Sequence, residues 1–123
     1  MIKIEQQIYF NSRDRLIRVE LENIVYFEGD GNYTYMVTVN NHKTCLTINL
    51  LHTEEALANQ LGEHANRLMR IGKRFIVNMR YIHQVDLQKQ VLILSDCREF
   101  LYQLPISKEA LKVVKDIIIQ TKF

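Results

Sequence analysis

RIGKRFIVNMRYI, residues 70–82, is the stretch on which the reading of this chain turns. Arg70, Lys73, Arg74 and Arg80 are threaded through Ile71, Phe75, Ile76, Val77, Met79, Tyr81 and Ile82, so one short segment has to supply both core and cationic surface. The asymmetry extends on either side. Between Glu63 and Asp86 there is no acidic residue, while Arg67 joins the four cations already named, a local excess of five. The whole chain, with 16 basic and 14 acidic residues, carries a net charge of only +2, so placement matters more than the total. Two readings stand side by side. One is an electrostatic footprint for a polyanion; the other is a solvated face whose carboxylate partners come from elsewhere in the fold.

At 123 residues the chain is long enough for one domain with a respectable core and too short for two, so a single domain over residues 1–123 is expected. The 47% hydrophobic content is dispersed, with no run near the ~18 residues of a membrane helix and no signal-peptide core, which predicts a cytoplasmic chain. Cys45 and Cys97 are far apart and form no C-x-x-C, which fits two ordinary small apolar residues in a reducing compartment.

One proline, four glycines and the absence of a Gly/Ser linker or repeat leave nothing to mark a domain boundary. Short alternating runs at 7–10, 15–21, 24–28, 33–39 and 43–48 predict strands; in the second, Ile17, Val19 and Leu21 share one face against Arg18 and Glu20. Asn40-Asn41 suits a tight turn because Asn tolerates positive φ, and Gly29-Asp30-Gly31-Asn32 is expected as a longer, flexible connection. Leu50, Leu51, Leu57, Ala58 and Leu61 then fall at helical spacing, with Asn49 or Thr53 as N-cap and Gly62 as C-cap. Strand signals return at 68–71, 82–86, 91–94 and 100–104, with a turn at 95–98. Ser107 caps a closing helix over about 108–119, whose Leu111, Val114 and Ile118 form a stripe. The sum is a mostly antiparallel β domain with one internal and one C-terminal helix.

Enzyme chemistry is not visible. His42, His52, His64 and His83 share no short ligand spacing with one another or with a cysteine, so no metal or other cofactor is expected. Gly29-Asp30-Gly31 opens like a dinucleotide fingerprint but lacks the third glycine and precedes a strand, which makes it turn chemistry. Ser107, between Pro105 and a helical stripe, reads as a cap.

Three segments carry a family resemblance: Tyr26-Phe27-Glu28-Gly29-Asp30-Gly31-Asn32-Tyr33, Arg70-Ile71-Gly72-Lys73-Arg74-Phe75-Ile76-Val77-Asn78, and Leu104-Pro105-Ile106-Ser107-Lys108. In order and spacing, over about residues 8–118, the chain resembles the LytTR DNA-binding domain of bacterial response regulators. It departs from that pattern where the family's histidine is Gly72 and its serine is Arg74. The resemblance implies an elongated antiparallel sandwich of about ten short strands in three small sheets, with one internal helix and a C-terminal helix. It also implies that loops, not a recognition helix, enter successive major grooves of double-stranded DNA. Imperfect direct repeats, two copies side by side on the DNA, and a receiver or other regulatory domain outside this chain belong to the same expectation.

On that reading the candidate DNA-binding residues are Thr34, Tyr35, Arg70, Lys73, Arg74 and Lys108. Lys73 and Arg74 sit at a loop tip, where a cation can bond guanine O6/N7 or a phosphate. Arg70 either contacts phosphate or pairs internally with Glu28. Thr34 and Tyr35 fall where the resemblance puts the first base-reading side chains, although a strand Thr is usually just that. Lys108 lacks arginine's fork, which favours phosphate. Asn78 is expected as a structural amide, Asn32 and Tyr33 as turn and core, Phe75 and Tyr81 as buried. The competing class is a basic-faced β module that binds RNA or a protein partner, and a single-strand binder would want exposed aromatics among the cations.

Overall fold

The computed structural model describes residues 6–122. A hairpin of β1 (Gln7–Asn11) and β2 (Leu16–Glu20) leads through a 3₁₀ turn into β3 (Ile24–Asp30), β4 (Tyr33–Thr38) and β5 (Lys43–Leu46). Helix α1 (Leu50–Leu61) follows, then β6 (Leu68–Ile71), β7 (Phe75–Asn78), β8 (Ile82–Asp86), β9 (Val91–Ser95) and β10 (Leu101–Pro105), and α2 (Lys108–Lys122) closes the chain. The ten strands make three antiparallel sheets: β1-β2, β10-β9-β8, and a central β5-β4-β3-β7-β6. Neither helix is long and apolar enough to cross a membrane.

The central sheet is covered on both faces. On one, Phe27, Met36, Leu46, Leu68 and Ile76 pack with Ile8 and Phe10 of the hairpin and with Leu50, Leu57 and Leu61 of α1. On the other, Tyr26, Val37, Ile71, Phe75 and Val77 meet Leu92, Leu94 and Leu104 of the three-stranded sheet, Phe100 just before β10, and Leu111 and Val114 of α2. Tyr26 stands edge-on to Phe75 and Tyr102 there, and burial pushes its phenol up to about 12. Each helix begins as its sequence dictates. The Asn49 side chain accepts from His52 N at 2.8 Å, which selects Asn49 over Thr53 as cap, and Ser107 Oγ accepts from Ala110 N at 3.3 Å. Gly62 ends α1 at φ +56°, a conformation that favours glycine.

Three expectations need correction. Residues 75–78, left inside a loop by the sequence reading, form β7; Phe75, Ile76, Val77 and Asn78 are all buried, so no alternation marks the strand. The 29–32 connection is shorter than expected: β3 runs through Asp30, which pairs with Tyr33, and the turn is Gly31-Asn32, with Gly31 at φ +61°. Tyr33 is not core but 50% exposed, because it lies beyond the last row covered by the neighbouring layer. Cys97 is a free thiol exposed in the 95–98 turn, at φ +63°.

Asn78 is a structural amide, as expected. Its Nδ2 donates to the carbonyls of Ile24 (2.9 Å) and Leu21 (3.3 Å), and its Oδ1 accepts from Arg80 N (3.1 Å), tying β7 to the entry of β3. Asn78→Ala strands these fully buried groups and is expected to cost about 1–3 kcal/mol, read as a lower melting temperature. A second test concerns Gly29, where an added Cβ would lie 3.0 Å from Leu50 Cβ. Neither side yields easily, since Gly29 N is held by Arg74 O at 2.7 Å and Leu50 opens a capped helix. Gly29→Ala should therefore lower the urea midpoint, with an overpacking cost of about 1–3 kcal/mol.

Candidate nucleic-acid interface

Register gathers the three motifs at one end of the central sheet. Glu28 lies opposite Tyr35 on one side and Phe75 on the other, so the Gly31-Asn32 turn and the 72–74 turn leave the sheet together. Gly72 takes φ +63° to start the second turn. The start of α2 joins them: Gly72, Lys73 and Arg74 line a shallow depression with Pro105, Ile106 and Ser107. A second depression is lined by Glu28, Asp30, Gly31, Tyr35, Lys43 and Arg74.

Within this arrangement the candidate residues separate. Lys73 is exposed at its turn and has no carboxylate partner among the described residues. Lys108 is exposed in the first turn of α2, beside the N-terminal amides of that helix. Arg74 is 58% exposed, paired with Glu28 and stacked on Phe75 at 5.2 Å from the ring centroid. Tyr35 is half-buried and carries the Lys43 ammonium 4.6 Å above its ring. Cys45, directly across the β4–β5 pair, followed by partial burial, raises the Tyr35 phenol above its ordinary value.

Two candidates turn inward. Thr34 is fully buried, on the α1 face of β4. Its hydroxyl donates to Ile48 O at 2.9 Å and accepts from Thr53 Oγ1 at 3.2 Å, so it fastens the start of α1 to the sheet and presents nothing to a base. Arg70 faces the same side, as the partner of Ile76 in the β6–β7 register. It bonds Glu54 Oε1 at 3.1 Å and Lys73 O at 3.1 Å, and its Nε is buried without a partner. The internal pair foreseen between Arg70 and Glu28 is thus made by Arg74, while Arg70 props the turn from α1.

The remaining cations of the acid-free segment lie at the other end of the sheet. Arg67 and Arg80 both approach Glu22, at 3.9 and 3.7 Å. Four of the five cations therefore have carboxylate partners from elsewhere in the fold. Such half-exposed pairs are worth at most about 1 kcal/mol each.

Sequence reasoning passed over Lys43. The signal was available, because the Asn40-Asn41 turn fixes a register that puts Val37 opposite Lys43 and Tyr35 opposite Cys45, leaving the lysine diagonal to the tyrosine. Exposed Tyr33 was also missed.

Comparison with known proteins agrees with this geometry. The model of the LytTr DNA-binding domain matches residues 14–119. Among solved structures, the LytTr DNA-binding domain of a Bacillus cereus protein named as a methyl-accepting/DNA response regulator superposes with a TM-score of 0.63 at 18% identity, covering 92% of this chain and 96% of that one. No curated protein matches the sequence. With the family model spanning most of the chain and the three motifs converging at one end of the sheet, this chain belongs to the LytTR family of DNA-binding domains.

Proposed function

We propose that the domain binds double-stranded DNA sequence-specifically, its β3–β4, β6–β7 and β10–α2 connections entering the major groove from one end of the central sheet. The observation that carries this is the convergence of those three connections around two shared depressions. Lys73, Lys108 and Lys43 are compact, solvated charges suited to phosphates, and Arg74 has the planar fork suited to guanine. Tyr35 offers a hydroxyl beside that fork, and Thr34 and Arg70 hold the platform. Imperfect direct repeats occupied by two copies, under the control of a regulatory domain, complete the proposal.

Tyr33 supports a second reading. An aromatic ring 50% exposed at the β3–β4 turn is what a single-strand RNA or DNA binder uses for stacking. Competition between a stem-loop or single strand and a duplex separates the two, because a duplex reader loses little binding to either competitor.

If Lys43, Lys73 and Lys108 each neutralise a phosphate, log affinity for duplex falls against log salt with a slope of about −2.7, from ~0.9 per contact. Lys73→Glu combined with Lys108→Glu should abolish measurable duplex binding without moving the melting temperature, since both side chains are exposed. A flat salt titration, or a double variant that binds as well as wild type, overturns the reading.

A further inference from the structure

Arg74 is tied to β3 twice. Its carbonyl accepts from Gly29 N at 2.7 Å, and its guanidinium pairs with Glu28 while lying over the Phe75 ring at 5.2 Å. An arginine at the tip of a hairpin is ordinarily a mobile charge. This one is fixed at backbone, head and flat face, and its side chain is more exposed than that of the glutamate that holds it, 58% against 26%. Two consequences follow from charge and geometry. The pair is close to neutral, so it attracts a phosphate far less than a free guanidinium would. The guanidinium also has five N–H donors and Glu28 engages part of one edge, leaving donors directed to solvent in a set orientation.

Resting on the reading of this face as a duplex-binding surface, we infer that Glu28 is a specificity-determining residue: it holds Arg74 for base edges and withholds it from phosphates. Discrimination is a difference between two affinities, and weakening the wrong complex raises it as surely as strengthening the right one. A phosphate needs net charge and accepts many poses. Guanine O6/N7 needs donors at one place, which a restrained fork supplies. Glu28 also lies in the row between Tyr35 and Phe75, so its carboxylate is anchored in the sheet rather than in a loop.

The test uses the whole domain, a duplex selected by the wild-type protein from a random-sequence pool, and a scrambled duplex of the same composition. Glu28→Gln keeps the shape and removes the charge. It is expected to tighten the scrambled duplex roughly twofold to fivefold, the scale of one exposed charge contact, and to steepen its salt slope by about 0.9. The selected duplex gains less, so the affinity ratio falls. In an Arg74→Gln background the same Glu28→Gln change should leave the ratio unaltered, because the carboxylate then has nothing to restrain. Arg74→Lys, which keeps the charge without the fork, should also lose discrimination, and it gives an independent answer if Glu28→Gln destabilises the fold. Equal tightening of both duplexes, an effect that persists without Arg74, or undiminished discrimination in Arg74→Lys overturns the inference. A wild-type protein that binds neither duplex sinks the reading of the face itself, whereas a wild-type and a Glu28→Gln protein that discriminate equally sink only the role of Glu28.

Discussion

A five-stranded sheet buried on both faces is the constraint from which the rest of this structure follows. β3 and β7 lie inside it, and Ile24, Val25, Tyr26, Phe27, Phe75, Ile76 and Val77 are all buried. Each large apolar side chain so placed contributes about 1.5–3 kcal/mol of transfer free energy, enough to fix the register of both strands. Once register is fixed, the places where the chain leaves the sheet are fixed as well, and two of the three connections that carry the family motifs issue from the same end. The second layer brings the third, because α2 must lay Leu111 and Val114 over the sheet and its first turn then arrives beside the 72–74 turn.

Much of this was legible in the amino-acid order, and the failures share a cause. Strands half-covered by protein announce themselves by alternation, as in Ile17 and Val19 set against Arg18 and Glu20. Helix ends announce themselves by Asn49, Gly62 and Ser107. The four residues of β7 carry no period because both faces are apolar, and periodicity is the signal that sequence reading relies on. Partner choice was opaque for a related reason. Arg70 and Arg74 are four apart across a turn, and which of them meets Glu28 depends on which face of the sheet each occupies. That is known only after β7 is recognised and paired, when Arg70 falls toward α1 and Glu54. Thr34 misled through the same ambiguity: residues 34 and 35 stand on opposite faces, one toward α1 and the other toward Lys43.

Local charge excess proved a coarse guide to the interface. A run with five cations and no acid looks like one basic patch, yet the sheet carries Arg67 and Arg80 to one end and Lys73 and Arg74 to the other. Lys43 and Lys108, distant in sequence, join the second group. The electrostatic face is a product of topology, and a sliding window along the chain averages over the separation that matters.

Gln60, on the outward side of α1, grips the backbone of Tyr9 with both ends of its amide, accepting from the N–H and donating to the carbonyl at 2.8 Å each. A primary amide has the donor and acceptor of a peptide group, so the side chain stands in for one residue of a neighbouring strand. β1 is the outer strand of a two-stranded ribbon, and a bare strand edge is a template on which other chains can nucleate. By occupying part of that template with a group that cannot be extended, Gln60 anchors the hairpin to the helix and takes the Tyr9 rung away from any incoming strand.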